Sequence, residues 1–383
     1  MLTEIDVHSE GLRNARLEKR LWNCRDRYSL SLGCTSCPDR TVCGGLQLEN
    51  TPFDCLGFCC GKPNDCDAVC RNKPEEFAQR VREIGGFSLT NVPRAPLLQA
   101  PLLPALIPIM FHGDKRHSTF CESRMVSLPL YKVISRHDGS VRYGSPEALA
   151  EGFGIGRDTS VLLTGTAIDP PLERWWSLGS DRRKAIRALI GLKVSMVTTP
   201  NFSLFTDQPR WDDMHSMKRI AIVHEEFLSE GLPAALHVNA RTESDWERWS
   251  DYVKARPEVT HLAYEFGTGA GWGERIDWHA DQLVRLANAV DRPLHLVVRG
   301  GTKVLSILAA AFAGLTVLDT SAFLKTMKRQ RAIRNGNGAV DWKSCPTDAT
   351  QMLDNLFAEN WKTVVGCYPG LAGRFTPPLE AAG

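Results

Sequence analysis

The 383-residue sequence contains no apolar stretch close to the roughly 20 residues that a membrane-spanning helix requires. Its most apolar segment, residues 97–111, is interrupted by Pro101, Pro104 and Pro108. The amino terminus is acidic and has neither the basic nor the apolar region of a secretory signal. We therefore expect a cytoplasmic protein without a membrane partner.

The sequence also has little excess charge of either sign. Its 46 Lys and Arg residues nearly balance its 44 Asp and Glu residues, which leaves a formal net charge of +2. A net charge this small does not by itself indicate a nucleic acid or an anionic membrane as the partner. Hydrophobic residues make up 43% of the chain and charged residues 23%, which is typical of a globular protein with a large core.

Histidine is absent between His8 and His112, in the part of the chain that holds nine of the twelve cysteines. These nine candidate metal ligands are Cys24, Cys34, Cys37, Cys43, Cys55, Cys59, Cys60, Cys66 and Cys70. A metal site built from them would use sulfur alone, and thiolate ligands select iron–sulfur clusters or zinc. A reducing cytoplasm disfavours structural disulfides, so metal binding is the favoured use. We predict one or two iron–sulfur clusters of the 4Fe-4S type, with structural zinc as the alternative.

Residues 34–45 carry the spacing C-x2-C-x5-C followed by Gly-Gly. This stretch resembles the auxiliary-cluster SPASM segment of radical-SAM maturases, which hold four-iron clusters. Gln47 stands where that segment has its fourth cysteine, so another cysteine would have to serve. The radical-SAM initiator C-x3-C-x2-C is absent, because Lys62 and Lys73 stand where its last cysteine would fall. The resemblance therefore implies an iron–sulfur cofactor without S-adenosylmethionine chemistry.

Composition divides the chain into three parts. Residues 1–23 predict a short charged N-terminal helix. Residues 24–90 are predicted to form a small cysteine-rich module. Its first part has too few regularly spaced apolar residues to fold without crosslinks or metal. Residues 91–383 predict one α/β barrel-like domain with C-terminal helices, entered through a proline-rich connection.

Short β-rich runs alternate with amphipathic helical stretches from about residue 104 onward. The strand candidates are Ile107–Phe111, Leu130–Ile134, Val161–Thr166, Val194–Thr199, Ala234–Asn239, His261–Phe266, Leu294–Arg299 and Thr316–Asp319. The helix candidates are 180–190, 214–230, 243–255, 277–290 and 302–313. A repeated β-then-α order indicates a parallel sheet with helical crossovers. Eight strands predict a TIM-barrel-like (β/α)8 fold, and an open doubly wound sheet is the alternative because residues 134–141 look like a hairpin.

Ligands bind at the carboxyl ends of the strands in parallel α/β folds, and polar residues recur at these ends here. The candidate catalytic residues are Glu265, Asn201, Asp207, His237 and Asp319. The candidate substrate-binding residues are Thr166, Ser203, Arg210, Asn239, Gly267, Gly269, Arg299 and Gly300. Such residues also serve as helix caps and turns, so each one alone is weak support. Together they predict a pocket.

Glu265 is the first candidate for an acid/base group or a ligand-binding carboxylate. It ends an apolar strand, where burial would raise its pKa. A structural ion pair with Arg299 is the alternative role. Arg299 and the backbone amides of Gly300 and Gly301 would suit a phosphate or a carboxylate. These features predict an enzyme acting on a nucleotide, a nucleic acid or another phosphorylated substrate.

Two further segments allow other interpretations. Asp212, Asp213 and His215 open a predicted helix, where they could cap it or bind manganese or iron. Five cations between Lys325 and Arg334 would occupy about three helical turns, as a solvated face or a contact for a nucleic-acid backbone. The alternative function is therefore a non-catalytic protein that binds nucleic acid or a partner and has a zinc-stabilised cysteine module.

Residues 199–205, Thr-Pro-Asn-Phe-Ser-Leu-Phe, are followed by Pro209, Arg210 and a predicted helix containing Lys218 and Arg219. This arrangement, over about residues 190–270, resembles an uncharacterised bacterial and phage family, domain of unknown function 4417. Its members carry a similar strand ending in a Pro-x-Phe-Ser-Leu segment, then a helix and another strand. The resemblance implies an α/β fold but no reaction. It marks as candidate site residues Asn201, Ser203 and Asp207.

Overall fold

A computed structural model of the chain describes residues 47–48, 51–52, 80, 83–112, 120, 122–135, 137–204, 210–271, 273, 275–348 and 351–368. One compact unit contains the described residues up to Arg94 together with Phe202–Glu225 and Val238–Arg256. The second unit contains Ala95–Asn201, Glu226–His237 and the described residues from Pro257 onward. The predicted helix over residues 1–23 and the nine cysteines of the predicted module lie outside the described residues.

Parallel strands of the second unit form a nearly closed barrel. After the short antiparallel pair β1 (Gln47–Leu48) and β2 (Thr51–Pro52) of the first unit, the eight barrel strands are β3 (Leu106–Pro108), β4 (Met125–Pro129), β5 (Ser160–Thr164), β6 (Val194–Thr198), β7 (Ala234–His237), β8 (His261–Glu265), β9 (His295–Arg299) and β10 (Gly314–Asp319). They lie side by side in chain order, and β10 pairs with β3. A parallel bridge between Ile109 and Ser127 joins the first barrel strand to the second. This ring confirms the predicted α/β, TIM-barrel-like fold.

Helices follow the strands along the chain. They are α1 (Leu130–Val133), α2 (Pro146–Phe153), α3 (Asp169–Ser177), α4 (Asp181–Gly191), α5 (Arg210–Ser229), α6 (Glu243–Lys254), α7 (Arg275–Ala289), α8 (Leu305–Ala311), α9 (Ser321–Met327) and α10 (Asp354–Gly366). An antiparallel hairpin of β11 (Gln330–Arg334) and β12 (Val340–Ser344) separates α9 from α10. No helix among the described residues is both long and apolar enough to cross a membrane.

Local sequence signals account for several helix ends. The hydroxyl of Ser145 accepts a hydrogen bond from the Ala148 N–H at the start of α2, where Pro146 occupies the first turn. Thr242 and Asp245 form a reciprocal capping box at the start of α6, with Thr242 N donating to Asp245 Oδ2 at 2.9 Å. These caps satisfy backbone donors that the first turn of a helix leaves unpaired.

Every second residue of each barrel strand faces the interior of the barrel, and these inward side chains form layers along the barrel axis. The apolar middle layer includes Ile107, Met125, Leu162, Met196, Ala235, Ala263, Val297 and Leu318. Nearer the amino ends of the strands, the rings of His261 and His295 stack with centroids 4.9 Å apart. Burial lowers the pKa of His261 to about 4 and that of His295 to about 3, so both rings are neutral at pH 7.

One strand lies elsewhere than the sequence predicted. Leu130–Ile134, predicted as the second strand, is helix α1 and its C-cap, and the strand is the preceding segment β4. Pro129 ends β4 because proline has no N–H for the next ladder hydrogen bond. Residues 134–141 do contain an antiparallel bridge between Ile134 and Val141, but it lies within a βα connection of the barrel.

The basic segment between Lys325 and Arg334 is not a continuous helix, so that prediction was wrong. Helix α9 ends at Met327, and Arg329 has a positive φ of 52° before the chain enters β11. A left-handed residue interrupts an α-helix, because its backbone cannot continue the right-handed turn. The five cations therefore lie on a helix end, a turn and a strand rather than on one helical face.

Candidate functional site

Polar side chains form the interior layer at the carboxyl ends of the barrel strands. By the alternation along each strand, the inward residues beyond the apolar layer are Ser127, Thr164, Thr198, His237, Glu265 and Arg299. All of these except Arg299 are buried. Burying a polar group costs free energy unless it is hydrogen-bonded, so a barrel shaped only by stability would continue the apolar layers here. This polar layer is the candidate active site.

Glu265 and Arg299 form an ion pair between neighbouring strands of this layer. Arg299 Nε lies 2.5 Å from Glu265 Oε2, and the backbone N–H of Gly267 donates to Glu265 Oε1 at 2.5 Å. Burial raises the pKa of Glu265, against the opposing effects of Arg299 and of the Gly267 N–H. The Glu265 side chain is 3% exposed and the Arg299 side chain 22% exposed, so the arginine reaches solvent while the glutamate is buried.

His237 is held in one tautomer beside this pair. Its Nδ1 lies 2.5 Å from the backbone carbonyl of Thr199, and a carbonyl oxygen can only accept, so Nδ1 carries the proton. Burial, reinforced by the positive charge of Arg299, lowers the pKa of His237 to about 4. The ring is therefore neutral at pH 7, and its Nε2 lone pair faces Thr166 Oγ1 at 3.4 Å.

Glycines allow the loops at this end of the barrel to approach one another. A Cβ on Gly165 would lie 2.5 Å from the carbonyl oxygens of both Thr198 and Thr199. Gly300 has a φ of +78°, and a Cβ there would lie 3.0 Å from the backbone nitrogen of Gly267. Gly267 thus supports the ion pair and Gly300 packs against the neighbouring strand end, while their role as substrate-binding residues stays a prediction. Gly269 begins a short 3-10 turn over Gly269–Gly271.

Two further predicted residues of the barrel unit lie at strand ends with different surroundings. Asp319 Oδ1 accepts from the Ala322 N–H at 2.8 Å and its Oδ2 from the Ser321 hydroxyl at 2.7 Å, so its carboxylate binds the first turn of α9. Asn201 follows β6, and its buried Oδ1 has no hydrogen-bond partner among the described residues. Asn201 therefore keeps an acceptor that a ligand could use, whereas the Asp319 carboxylate is engaged by the protein.

The other predicted site residues belong to the first unit or lie outside the described residues. Asn239 Nδ2 donates to the Phe202 carbonyl at 3.0 Å, which holds the segment that contains Ser203. Arg210 begins α5, and only its backbone is described. Asp207 lies outside the described residues.

The suggested manganese or iron site at the start of α5 was wrong. Asp212 Oδ1 pairs with Arg80 Nη1 at 3.0 Å, and His215 Nε2 lies 2.6 Å from Glu83 Oε1. Within the described part of the chain, no three His, Cys, Asp or Glu side chains come together as metal ligands. The sequence offered the right residue types, but these two are engaged by partners far away in the chain.

Several cations of the basic segment are engaged within the protein. Arg331 Nε lies 3.4 Å from Glu359 Oε2, and Arg329 Nε donates to Thr347 Oγ1 at 2.7 Å. The ammonium group of Lys325 lies 5.9 Å from the centroid of the Trp342 ring. These contacts leave the segment less suited to phosphates than a row of uncommitted cations would be.

Two pockets of the second unit have linings that the sequence predicted only at Thr166. One of about 490 Å³ lies at the carboxyl ends of β4 and β5, is lined in part by Thr166, and is named here the Thr166 pocket. The other, of about 730 Å³, lies between α8 and the β11–β12 hairpin, and the described residues that line it include no charged side chain. The Thr166 pocket includes loop and helix residues that strand patterns alone do not indicate.

Comparisons with known proteins add no further constraint. No family model matches the chain, and no curated protein matches it. The resemblances to domain of unknown function 4417 and to the SPASM segment therefore stay predictions, and functional inference depends on the geometry of the barrel.

Proposed function

We propose that this chain is an enzyme whose barrel catalyses proton transfer on a phosphorylated substrate, such as a nucleotide or a nucleic acid. The observation that carries the proposal is His237, a neutral imidazole fixed in one tautomer within the polar layer of the barrel. Barrel enzymes hold their reacting groups at the carboxyl ends of the strands. A neutral imidazole with a positioned lone pair is suited to remove a proton from a substrate hydroxyl.

The charges around His237 suit such a step. When His237 Nε2 takes a proton, the substrate oxygen becomes negative, and the Arg299 guanidinium stabilises that charge through N–H donors not used by Glu265. Glu265 holds Arg299 in place through its Nε. An anionic substrate beside Arg299 also offsets the positive charge that lowers the pKa of His237, which makes the imidazole a better base in the complex.

Replacing His237 by Gln tests this role. We expect any conversion by the wild type to fall by at least about 100-fold, the usual contribution of a general base. The assay incubates the full chain with a panel of nucleotides, oligonucleotides and sugar phosphates and follows products by mass spectrometry. His279→Gln is the matched control, because it also removes a buried histidine, one whose Nδ1 lies 2.7 Å from the Tyr264 hydroxyl. A folded His237→Gln protein with wild-type turnover would contradict the proposal.

We also propose that the cysteine module binds one or two iron–sulfur clusters, with zinc as the alternative metal. The number of cysteines, the C-x2-C-x5-C spacing and the absence of histidine support this assignment. No step proposed for the barrel depends on the metal.

Metal analysis after anaerobic purification tests this cofactor. We expect iron and sulfide in the wild type and a clear loss of iron in Cys34→Ser, because one thiolate ligand is removed. Cys345→Ser is the control, because Cys345 is a free thiol of the barrel unit. If the purified protein contained near-stoichiometric zinc and no iron, the iron–sulfur assignment would be wrong and the module would be a structural zinc site.

A further inference from the structure

We propose that the Thr166 pocket is the subsite that holds an anionic group of the substrate, either a phosphate monoester or a carboxylate. The assignment rests on the proposed function and specifies which part of the substrate lies where. It is carried by the charges that line the pocket, by the position of Thr166 beside His237, and by the packing of the pocket walls.

Among the described residues, the Thr166 pocket is lined by two cations, Lys132 and Arg174, by the imidazole of His137 and by no carboxylate. Lys132 and His137 come from the connection after β4, and Arg174 comes from α3. No hydrogen bond or ion pair to any of these three side chains is found among the described residues. Neighbouring arginines differ in this respect, because Arg182 is bound to Glu226 at 2.7 Å. Cations that the protein leaves uncommitted around a concave surface are suited to an anionic ligand.

Several acidic residues are close in sequence, but none is among the described residues that line this pocket. Asp138 and Asp169 flank it along the chain, and Glu173 precedes Arg174. The carboxylate of Asp138 accepts from the Ser140 N–H at 3.1 Å and from its hydroxyl at 2.8 Å. The charge of Glu173 reaches Tyr131, whose pKa is raised chiefly by burial and further by Glu173. The described lining therefore combines basic groups with hydroxyl-bearing residues, of which Tyr131 and Ser177 donate to the backbone carbonyls of Gly165 and Arg174.

Thr166 connects this pocket to the polar layer of the barrel. The side chain lines the pocket, and its Oγ1 lies 3.4 Å from His237 Nε2. In the proposed binding mode, an anionic group on Lys132 and Arg174 directs the rest of the substrate toward Thr166, which is the lining residue in contact with the imidazole. The volume of about 490 Å³ exceeds that of a single phosphate group, which leaves room for part of the carbon skeleton.

Tight packing holds the two walls of the pocket together. Gly139, with a φ of +71°, lies so close to the Leu178 side chain that a Cβ on Gly139 would overlap it. The ring of Trp175 is buried and stacks on Phe227 at a centroid distance of 5.8 Å. Walls that are already packed need little ordering when a ligand binds, which favours affinity.

Binding of inorganic phosphate to the full chain tests the subsite without requiring turnover. Titration calorimetry should give saturable binding with a dissociation constant of about 1 mM or tighter. Arg174→Gln and Lys132→Gln should each weaken phosphate binding about tenfold, because each removes a charge-assisted hydrogen bond. Lys328→Gln is the matched control, since Lys328 is an exposed cation that does not line the pocket. Succinate, titrated in parallel, distinguishes a carboxylate-binding from a phosphate-binding subsite.

The outcomes separate this assignment from the proposed function. Phosphate or succinate binding that depends on Arg174 supports the subsite. The anion that binds more tightly shows whether the subsite takes a phosphate or a carboxylate. Binding that Arg174→Gln and Lys132→Gln leave unchanged, or no binding of either anion by the wild type, overturns it. His237→Gln should still bind the anion within about threefold, because the imidazole is not a pocket cation. Loss of turnover in His237→Gln with an unaffected anion site therefore supports the catalytic role independently of the subsite.

Discussion

Replacing Arg299 by Met should lower the free energy of unfolding by about 3–5 kcal/mol at pH 7, because it leaves the Glu265 carboxylate buried without its partner. Glu265 is only 3% exposed, so water cannot replace the guanidinium. Losing Arg299 should raise the pKa of Glu265 further. A carboxyl whose pKa is raised on folding favours the folded state below its unfolded pKa and opposes it as the pH rises. The stability lost in Arg299→Met should therefore be smaller at pH 5 than at pH 7. Urea unfolding of wild type and variant at both pH values measures this difference.

A double-mutant cycle distinguishes the buried pair from its separate residues. Glu265→Gln combined with Arg299→Met should recover about half of the stability lost in Arg299→Met, because no buried charge is then left alone. Lys184→Met is the control, since Lys184 pairs with Asp181 at 2.8 Å on the surface, with side chains 76% and 57% exposed. Exposed pairs contribute about 0–1 kcal/mol, so this variant should be nearly neutral. Equal losses in Arg299→Met and Lys184→Met would contradict the buried ion pair.

Gly165→Ala should destabilise the barrel by about 3 kcal/mol, because the added methyl group has no space. It would lie 2.5 Å from two backbone carbonyl oxygens and 2.6 Å from Pro200 N, and backbone atoms cannot turn aside as a flexible side chain can. The Gly165 carbonyl also accepts from the Tyr131 hydroxyl at 3.3 Å. Displacement of this turn should move the adjacent Thr166 and weaken phosphate binding as well.

Gly144→Ala is the matched control for Gly165→Ala. A Cβ on Gly144 would meet no atom within 4 Å, and its φ does not lie in the left-handed region. This variant should change the free energy of unfolding by no more than about 0.5 kcal/mol. Thermal and urea unfolding of both variants measure the difference. If Gly165→Ala were as stable as Gly144→Ala, the close approach of β5 to β6 would be contradicted.

Most of the barrel was predictable from the sequence, because buried strands show as apolar runs bounded by turns. The strand candidates from Val161–Thr166 onward were close to the observed strands. The helix candidate 180–190 was close to α4 (Asp181–Gly191). The error at Leu130–Ile134 has a physical origin. Met125–Pro129 and the segment after it are both apolar, and periodicity alone does not distinguish a short buried strand from a buried helical turn.

The site was partly predictable for the same reason. Glu265, Arg299 and His237 were candidates because the carboxyl ends of parallel strands meet at one end of a barrel. Their hydrogen bonds were not predictable, since the tautomer of His237 depends on a carbonyl of another strand end. The basic lining of the Thr166 pocket was also missed, because Lys132 and Arg174 lie on short helices. Nothing in their local pattern distinguishes them from solvated surface cations.

The pairing of Glu265 with Arg299 has a consequence for strand alignment. The two residues are direct partners in the β8–β9 ladder. Because side chains alternate between the two faces of a strand, a slip of β9 by one residue would turn Arg299 out of the barrel and Val298 into it. Such a slip would leave the Glu265 carboxylate in the interior without a counter-ion. The ion pair thus favours one alignment of two otherwise similar apolar strands, and the same alignment keeps the positive charge of Arg299 near His237.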